Sequence, residues 1–507
     1  MITSRKVCFT LVACLGLAWI PLLGSSDPAD PEDISAETAW EWISTYEYPA
    51  VLQALEWFEA DLLRKPDRPT ALAGVAASLA IGIGLTWDDR LETLERADRL
   101  SLQALRREPD RAEIQFARAL VEILNLDFRG AEQRGRNALS MPGNPLLARL
   151  ALGEALNRQG QWIEAEKVFR DAMNENGAGC PLSSGLAVAL QEQQKFTDAL
   201  QASQQAIDAF PDCLTARLTW TSTVYRARRT QSALQGQNQL YDRYPESRNL
   251  ILLNAGAMYL KAGRCNSALN VYQRVKLGDG ARYLKMFHDF GTAFCREQLG
   301  FQSEAETGYR NLLEGFPALQ GGEYLKQRIL FPAYRALAQL LWSIGRTGES
   351  ILVLERASED PDVPAGILRH LGDRYQELGL VDSAHGAYER AAHSGRFEDL
   401  YDEGRTIVRW IRSRAGNPSG STLASADLSP LWDFQRRVDP GDDPGTLLAL
   451  ARALALGQQN RKSLHWLEMA VRAGYRNAEN LRNDPDFASI RDRKKFNRIL
   501  AQIEQES

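Results

Sequence analysis

Apolar residues along most of this chain recur at steps of three and four, the period of a helix that buries one face. The runs are short and are broken by Gly, Pro or polar clusters, so the pattern predicts many helices in succession. Within them one small residue returns in register, at Ala97, Ala131, Ala165, Ala199, Ala233, Ala268, Ala305, Ser350 and Ala384. Most steps are 34 or 35 residues and two are longer. A fixed period in this range marks an array of similar units, each burying its apolar face on the next. The predicted fold class is all-α. Pro109, Pro211, Pro245 and Pro317 fall between runs, where a missing N–H costs little.

Two stretches show the unit clearly. LALGEALNRQGQWIEAEKVFRDAM carries Leu152, Gly153, Leu156, Gly160, Ala165, Phe169 and Ala172. RHLGDRYQELGLVDSAHGAYERAA places Leu371, Gly372, Tyr375, Gly379, Ala384, Tyr388 and Ala391 in the same register. Small residues at Gly153 and Ala165 let two antiparallel helices approach, and Gly160 suits a left-handed helix end. This pattern resembles the tetratricopeptide repeat, a helix-turn-helix unit of about 34 residues. The resemblance implies a right-handed superhelical solenoid of about ten to eleven units. An earlier unit surrounds Ala54, Phe58 and Pro66, and a last helical pair runs from Thr446 to Ala473.

The flanks extend the resemblance to tetratricopeptide modules found behind bacterial winged-helix activators, adenylate cyclases and serine/threonine kinases. Ala54-Leu55, Phe58, Lys65-Pro66-Asp67 and the helix Ala71 to Ala76 match their opening. Trp466-Leu467-Glu468, Gly474-Tyr475, Asp484-Pro485-Asp486-Phe487, Arg491 and Phe496 match their terminal motif, which implies a cap on the open end of the array. Only a short segment precedes the repeats, so DNA binding and nucleotide chemistry are not implied. The expected division is a signal peptide or membrane anchor over 1–26, a tether over 27–38, the array over 39–395, an extra helix with a flexible linker over 396–440, and a capping unit over 441–507.

The leader changes the picture of where the array works. Arg5 and Lys6 precede an uncharged run, Val7 to Gly24, followed by Ser25, Ser26 and an acidic, Pro-rich stretch. This reads as a cleaved secretory signal or as an uncleaved anchor that holds the chain to a membrane through residues 7–24. Leu11-Val12-Ala13-Cys14 is also lipobox-like. The charge bias places the repeats outside the cytoplasm, in a bacterium the periplasm, either secreted or anchored in the inner membrane. Cys180 and Cys213 stand at the entrances of adjacent units and are a candidate disulfide. Equivalent positions on stacked units lie about 10 Å apart, beyond the reach of about 7 Å that a bridge needs, so two buried thiols fit equally well. Cys265 and Cys295 share that ambiguity.

Charge and motifs exclude more than they assign. With 60 basic against 65 acidic residues, the chain offers no broad basic face for nucleic acid. The five histidines, His288, His370, His385, His393 and His465, form no HxxxH or HExxH pair, and no CxxC, phosphate loop or nucleophile elbow occurs. No catalytic residue, metal or cofactor is predicted. Asp88-Asp89 and Asp442-Asp443 read as helix caps. The longer steps contain GIGLTWDD (Gly82 to Asp89), LGDG (Leu277 to Gly280) and the Gln320-Gly321-Gly322 loop, the last a candidate contact.

In the repeat that this chain resembles, first helices line the concave side. That places Glu154, Asn157, Arg158, Gln191, Glu192, Tyr225, Arg226, Lys261, Phe294, Glu297, Asp373 and Gln376 in a groove of mixed charge, with Tyr225 and Phe294 as anchors. A Lys/Asn/Arg clamp for a chaperone's C-terminal carboxylate is absent, because Leu150, Glu154, Ser184 and Val188 occupy the matching places. The expectation is a scaffold of the bacterial cell envelope that binds a partner segment in its groove. Alternatives are a sensory module coupled to a membrane protein, or a helical protein that binds or processes polysaccharide.

Overall fold

The computed structural model describes residues 35–227, 230–315, 323–397, 399–415 and 428–506. The leader and the Gln320-Gly321-Gly322 loop lie outside them, as does Pro317. Among the described residues the chain is a succession of helix pairs with no strand. The first pairs are α1 (Ala36–Thr45) with α2 (Tyr48–Arg64), α3 (Pro69–Gly84) with α4 (Leu91–Arg107), and α5 (Ala112–Leu124) with α6 (Phe128–Ala138). Next come α7 (Pro145–Gln159) with α8 (Trp162–Asn176), α9 (Cys180–Glu192) with α10 (Phe196–Ala209), and α11 (Leu214–Arg226) with α12 (Thr230–Arg243). Then follow α13 (Arg248–Lys261) with α14 (Cys265–Tyr272), and α15 (Arg282–Gln298) with α16 (Gln302–Gly315). A short α17 (Glu323–Leu325) and a π-helical turn (Lys326–Leu330) lead into α18 (Phe331–Ser343), which pairs with α19 (Thr347–Ser358). The chain ends with α20 (Ala365–Glu377) and α21 (Val381–His393), α22 (Leu400–Ala415) and α23 (Ser429–Arg437), α24 (Pro444–Leu456) and α25 (Asn460–Arg472), then α26 (Ala478–Asn483) and α27 (Lys494–Glu506).

Every residue of the recurring small register falls on the second helix of its pair and is buried. The one departure from Ala is instructive. Ser350 donates its hydroxyl to the Ala338 carbonyl at 2.7 Å, so the polar atom is satisfied inside the helix pair. Ser463 makes the same bond to Ala451 at 2.7 Å. In several units an aromatic ring fills the seam. The Phe169 ring sits between Gly153 of its own unit and Gly185 of the next, where an added Cβ would lie 2.5 Å and 2.3 Å from the ring. One ring therefore sets the spacing both within a unit and between units. Gly160 ends α7 with φ 78°, a left-handed cap. Pro109 and Pro211 follow α4 and α10, and Pro245 opens the 3-10 turn after α12. Asp443 caps α24 through Gly445 and Thr446, whereas Asp88 instead pairs with Arg90.

The array curls far enough to meet itself. The α3–α4 loop touches the region from α13 to α15. Trp87 Nε1 donates to Ser247 Oγ at 2.8 Å, Leu250 N donates to Thr86 Oγ1 at 3.3 Å, and Gly280 N donates to the Asp89 carbonyl at 2.9 Å. Thr86 holds φ 62°, an uncommon conformation for a β-branched residue. Gly278 lies so close that a Cβ would stand 2.2 Å from the Asp89 carbonyl oxygen. α17 crosses to α7, and Arg129 meets Glu323 at 3.2 Å. One apolar core accordingly runs from Ala39 to Leu341, joining the opening pairs to α15, α16 and α18.

Cys180 opens α9 and Cys213 precedes α11, and the two are joined as a disulfide with Cα atoms 5.6 Å apart. The wider separation expected of stacked equivalents does not apply, because Cys213 stands one place early in its unit, in the loop that bends toward α9. Cys265 and Cys295 are buried thiols.

From α20 onward the pairs run on without such closure. Trp410 and Phe434 are fully buried in a second core shared by α22 to α27. The terminal motif folds over the end of the array. Asp486 pairs with Arg412 at 2.6 Å, Asp484 with Arg452 at 2.6 Å, and Phe487 lies 5.9 Å from Phe496 between ring centres.

Candidate functional site

Curling leaves one cleft of about 640 Å³ between the first helices of successive units. Its floor is apolar, with Leu218, Leu250, Leu253 and Leu260 facing Tyr283, Phe287 and Phe290 of α15. Its rim carries Arg158, Lys261 and Arg328. The π-helical turn contributes Gln327, Arg328 and Ile329. The volume and apolar lining match those of ligand sites, typically about 300–1,000 Å³ with a few placed polar groups.

The electrostatics centre on one carboxylate. Arg226 Nη1 lies 2.6 Å from Glu192 and Arg328 approaches the same carboxylate at 3.8 Å. Lys261 stands beside these three groups, and its ammonium makes no hydrogen bond or ion pair among the described residues. Desolvation in the cleft, then Arg226 and Arg328, push its pKa below the ordinary lysine range, with Glu192 opposing. Arg158 stacks over Tyr283 at 4.4 Å from the ring centre. The α1–α2 turn caps the neighbouring stretch of the inner face. There the Tyr46 hydroxyl is buried without a hydrogen-bond partner. Burial raises its pKa well above the usual value, and the charge of Glu154 adds to the rise. Burial likewise raises Glu154, with Arg158 opposing.

The ring wedge seen at Phe169 repeats along the chain. Tyr272 lies against Gly256 and Gly291, and Tyr388 against Gly372, each where a Cβ would collide with the ring. The helix pairs and their glycine-ring seams resemble those of tetratricopeptide repeats. No protein-family profile and no curated protein matches the chain. Solved structures do. One is a tetratricopeptide repeat protein from Parabacteroides merdae, at 16% identity and TM-score 0.34, covering 53% of this chain and 98% of that one. Another is the human IFIT1 dimer with m7Gppp-AAAA, at 18% identity and TM-score 0.33, covering 71% of each chain. The functional reading of this helical array rests on its own cleft.

The groove residues read from the sequence divide into four groups. Arg158 and Lys261 line the cleft, and Glu192 and Arg226 form its charged edge. Asn157, Gln191 and Tyr225 are buried in the packing between units. Asn157 Nδ2 donates to the Gly185 carbonyl at 3.0 Å, and Gln191 Oε1 accepts from Ser222 and Thr223, both at 2.7 Å. Tyr225 packs with Val224, Ala233 and Met258, so it is a seam residue and not an exposed anchor. Glu154 lies beside Tyr46, near Arg158 at 3.9 Å. The remaining residues serve their own units. Glu297 accepts from the Tyr309 hydroxyl at 2.7 Å, Asp373 and Gln376 accept from Tyr388 at 2.6 Å and 3.0 Å, and Phe294 packs 6.3 Å from Phe290.

Sequence reasoning missed the far wall. α15 carries Tyr283, Phe287, Phe290 and Phe294 at steps of three and four, in addition to the seam residues Met286, Gly291 and Ala293. Two apolar faces on one helix were the available signal. Among the described residues no group of acidic, His or Cys side chains forms a metal site, and no helix is long and apolar enough to cross a membrane.

Proposed function

We propose that this chain is an interaction scaffold of the bacterial cell envelope, one that captures a segment of a partner protein in the cleft. Helical-repeat arrays present extended concave surfaces of this kind to partners. The observation that carries the reading is the juxtaposition of Leu253, Phe287 and Phe290 with Lys261 and Arg328 inside one turn of the array. Such an apolar floor with a polar edge is how grooves take a protruding side chain. Export is supported by the basic, then apolar, then small-residue order of the leader. The Cys180–Cys213 disulfide agrees with an oxidising compartment. The reading is one of binding, with no chemical step.

A photocrosslinking side chain at Leu253, installed in the native cell, tests it. The expected result is a covalent adduct with the same protein in repeated experiments, recovered from the envelope fraction and absent when the crosslinker stands at Ile163, 79% exposed on the outer side. Equal labelling from both positions, or none from Leu253, overturns the cleft as the capture site.

A further inference from the structure

Two thiols behind the cleft floor take no part in the binding reading. Cys265 opens α14, and Cys295 lies on α15, on the seam face that also carries Met286, Gly291 and Ala293. They share one buried cluster with Leu253 and Tyr272, both of which also line the cleft. Inside that cluster the Cys295 thiol is hydrogen-bonded to the thiol of Cys265. The Cys180–Cys213 bridge already ties α9 to the loop before α11 on the other side of the cleft, where Val188, Leu218 and Ser222 contribute lining. Cys180, Cys213, Cys265 and Cys295, the four beyond the leader run, thus divide into two contacting pairs with none left over. Conditions that oxidise the first pair act on the second as well. A bridge there needs the two sulfurs to close from contact to about 2 Å.

We infer that Cys265 and Cys295 are a second oxidation site, closed to a disulfide by thiol–disulfide exchange while the chain folds, and that the bond fastens the far wall of the cleft to α14. One cysteine thiolate attacks the S–S bond of a donor, either the disulfide of a small thiol or an oxidised exchange protein. That bond breaks and a mixed disulfide forms. The second cysteine thiolate then displaces the donor sulfur. The Sγ–Sγ bond is made, and the donor leaves as two thiols that carry the two electrons and the two protons given up by the cysteines. The surroundings set the timing. Burial, then the neighbouring Cys265 thiol, hold the Cys295 thiol well above the ordinary cysteine range, so it is protonated and inert once the helices have closed. Exchange therefore precedes packing. The bond closes a loop that contains the Leu277 to Gly280 turn, held by Asp89, and the wall residues Tyr283, Phe287 and Phe290. Joining the ends of such a loop restricts the unfolded chain. The inference rests on the export part of the scaffold reading, since a reducing compartment would keep both pairs open.

The test is peptide mass spectrometry of the chain taken from its native cells, opened in urea with N-ethylmaleimide and no reductant, then digested. The expected result is two linked peptide pairs, Cys180 with Cys213 and Cys265 with Cys295, both lost on prior reduction. Maleimide on Cys265 and Cys295 with the first bridge intact, or a link between any other two cysteines, overturns the inference and leaves the scaffold reading standing. Maleimide on all four overturns the inference together with export. The wall is checked in a Cys180→Ala, Cys213→Ala chain, which keeps only the second pair, refolded with oxidised glutathione or with a reductant. Hydrogen exchange in α15 should be at least ten-fold slower in the oxidised form. Equal rates in the two forms, with the link present, would mean that the bond does not hold the wall.

Discussion

Residues 36–343 and residues 365–506 are built from the same helix pairs but are held together differently. In the first region hydrogen bonds join residues 160, 164 and 194 apart, at Trp87–Ser247, Thr86–Leu250 and Arg129–Glu323. In the second, Arg412 reaches Asp486 across 74 residues and units otherwise pack on their neighbours. An array held only by neighbours is close to a one-dimensional sum of unit and interface energies. Closing a turn on itself adds contacts that no single unit owns, and it converts an open concave face into a walled cleft. The difference is made by loops and by α15, and not by the repeat itself.

The largest effects should come from emptying one seam in each region. Phe169 and Phe434 are both fully buried, so Phe169→Ala and Phe434→Ala should each cost about 3–5 kcal/mol. Where the damage goes is the informative part. Hydrogen exchange after Phe169→Ala should quicken across the closed turn, including α13 and α15 far along the chain. After Phe434→Ala it should quicken within α22 to α25 and leave α3 to α15 protected. Spread of the second variant's effect into α3 to α7 would break the comparison, because it would mean that the whole chain unfolds as one unit.

That contrast also marks how much was legible in the sequence. The Ala97 to Ala384 register, Gly160 as a helix end and the Gly153–Phe169 seam follow from one unit's own packing, which repeats and therefore shows. The Asp484 to Phe496 terminal motif was legible for the same reason, since it buries Phe487 and Phe496 locally. Curvature is the sum of small rotations between units and leaves no periodic trace, so the cleft was not legible. Arg158, Glu192, Arg226 and Lys261 lie at its lining or edge because they sit on first helices. Asn157 and Tyr225 follow the same rule and are buried, since that face of a first helix also meets the next unit. GIGLTWDD and LGDG were visible as irregular steps, and only the folded chain shows that they bind each other.

A smaller effect should separate closure from packing. Gly278→Val would drive a side chain into the Asp89 carbonyl, where even a Cβ stands at 2.2 Å. The contact must open, at a cost of about 1–3 kcal/mol. The expected result is faster exchange at Trp87, Asp89 and Leu250 and an increased radius of gyration in X-ray scattering. Exchange in α20 to α27 should not change. An unchanged radius together with unchanged exchange at Trp87 would mean that the core of α15 and α18 closes the turn without the loops.

A further effect lies in the second region and depends on pH. Glu403 on α22 is 3% exposed, and burial raises its carboxyl to about 7, with Arg437 opposing and Asp433 adding to the rise. Arg437 pairs with Glu403 but is half exposed, so water screens the pair and desolvation wins. The folded state therefore holds this proton more tightly than the unfolded chain, whose glutamate titrates near 4.5. Glu403 is neutral in both states below that value, so its effect on stability is absent there. As pH climbs from 4.5 toward 7 the unfolded chain loses the proton first, and stability falls at no more than about 1.4 kcal/mol per pH unit. Above 7 the loss is complete and constant. Urea unfolding of Glu403→Gln should show a flatter dependence across that window. Because α21 to α27 share a core that holds no residue of α3 to α15, exchange of α3 to α15 should be indifferent to the substitution. A pH response of equal size in the closed turn would mean that the two regions share one cooperative transition after all.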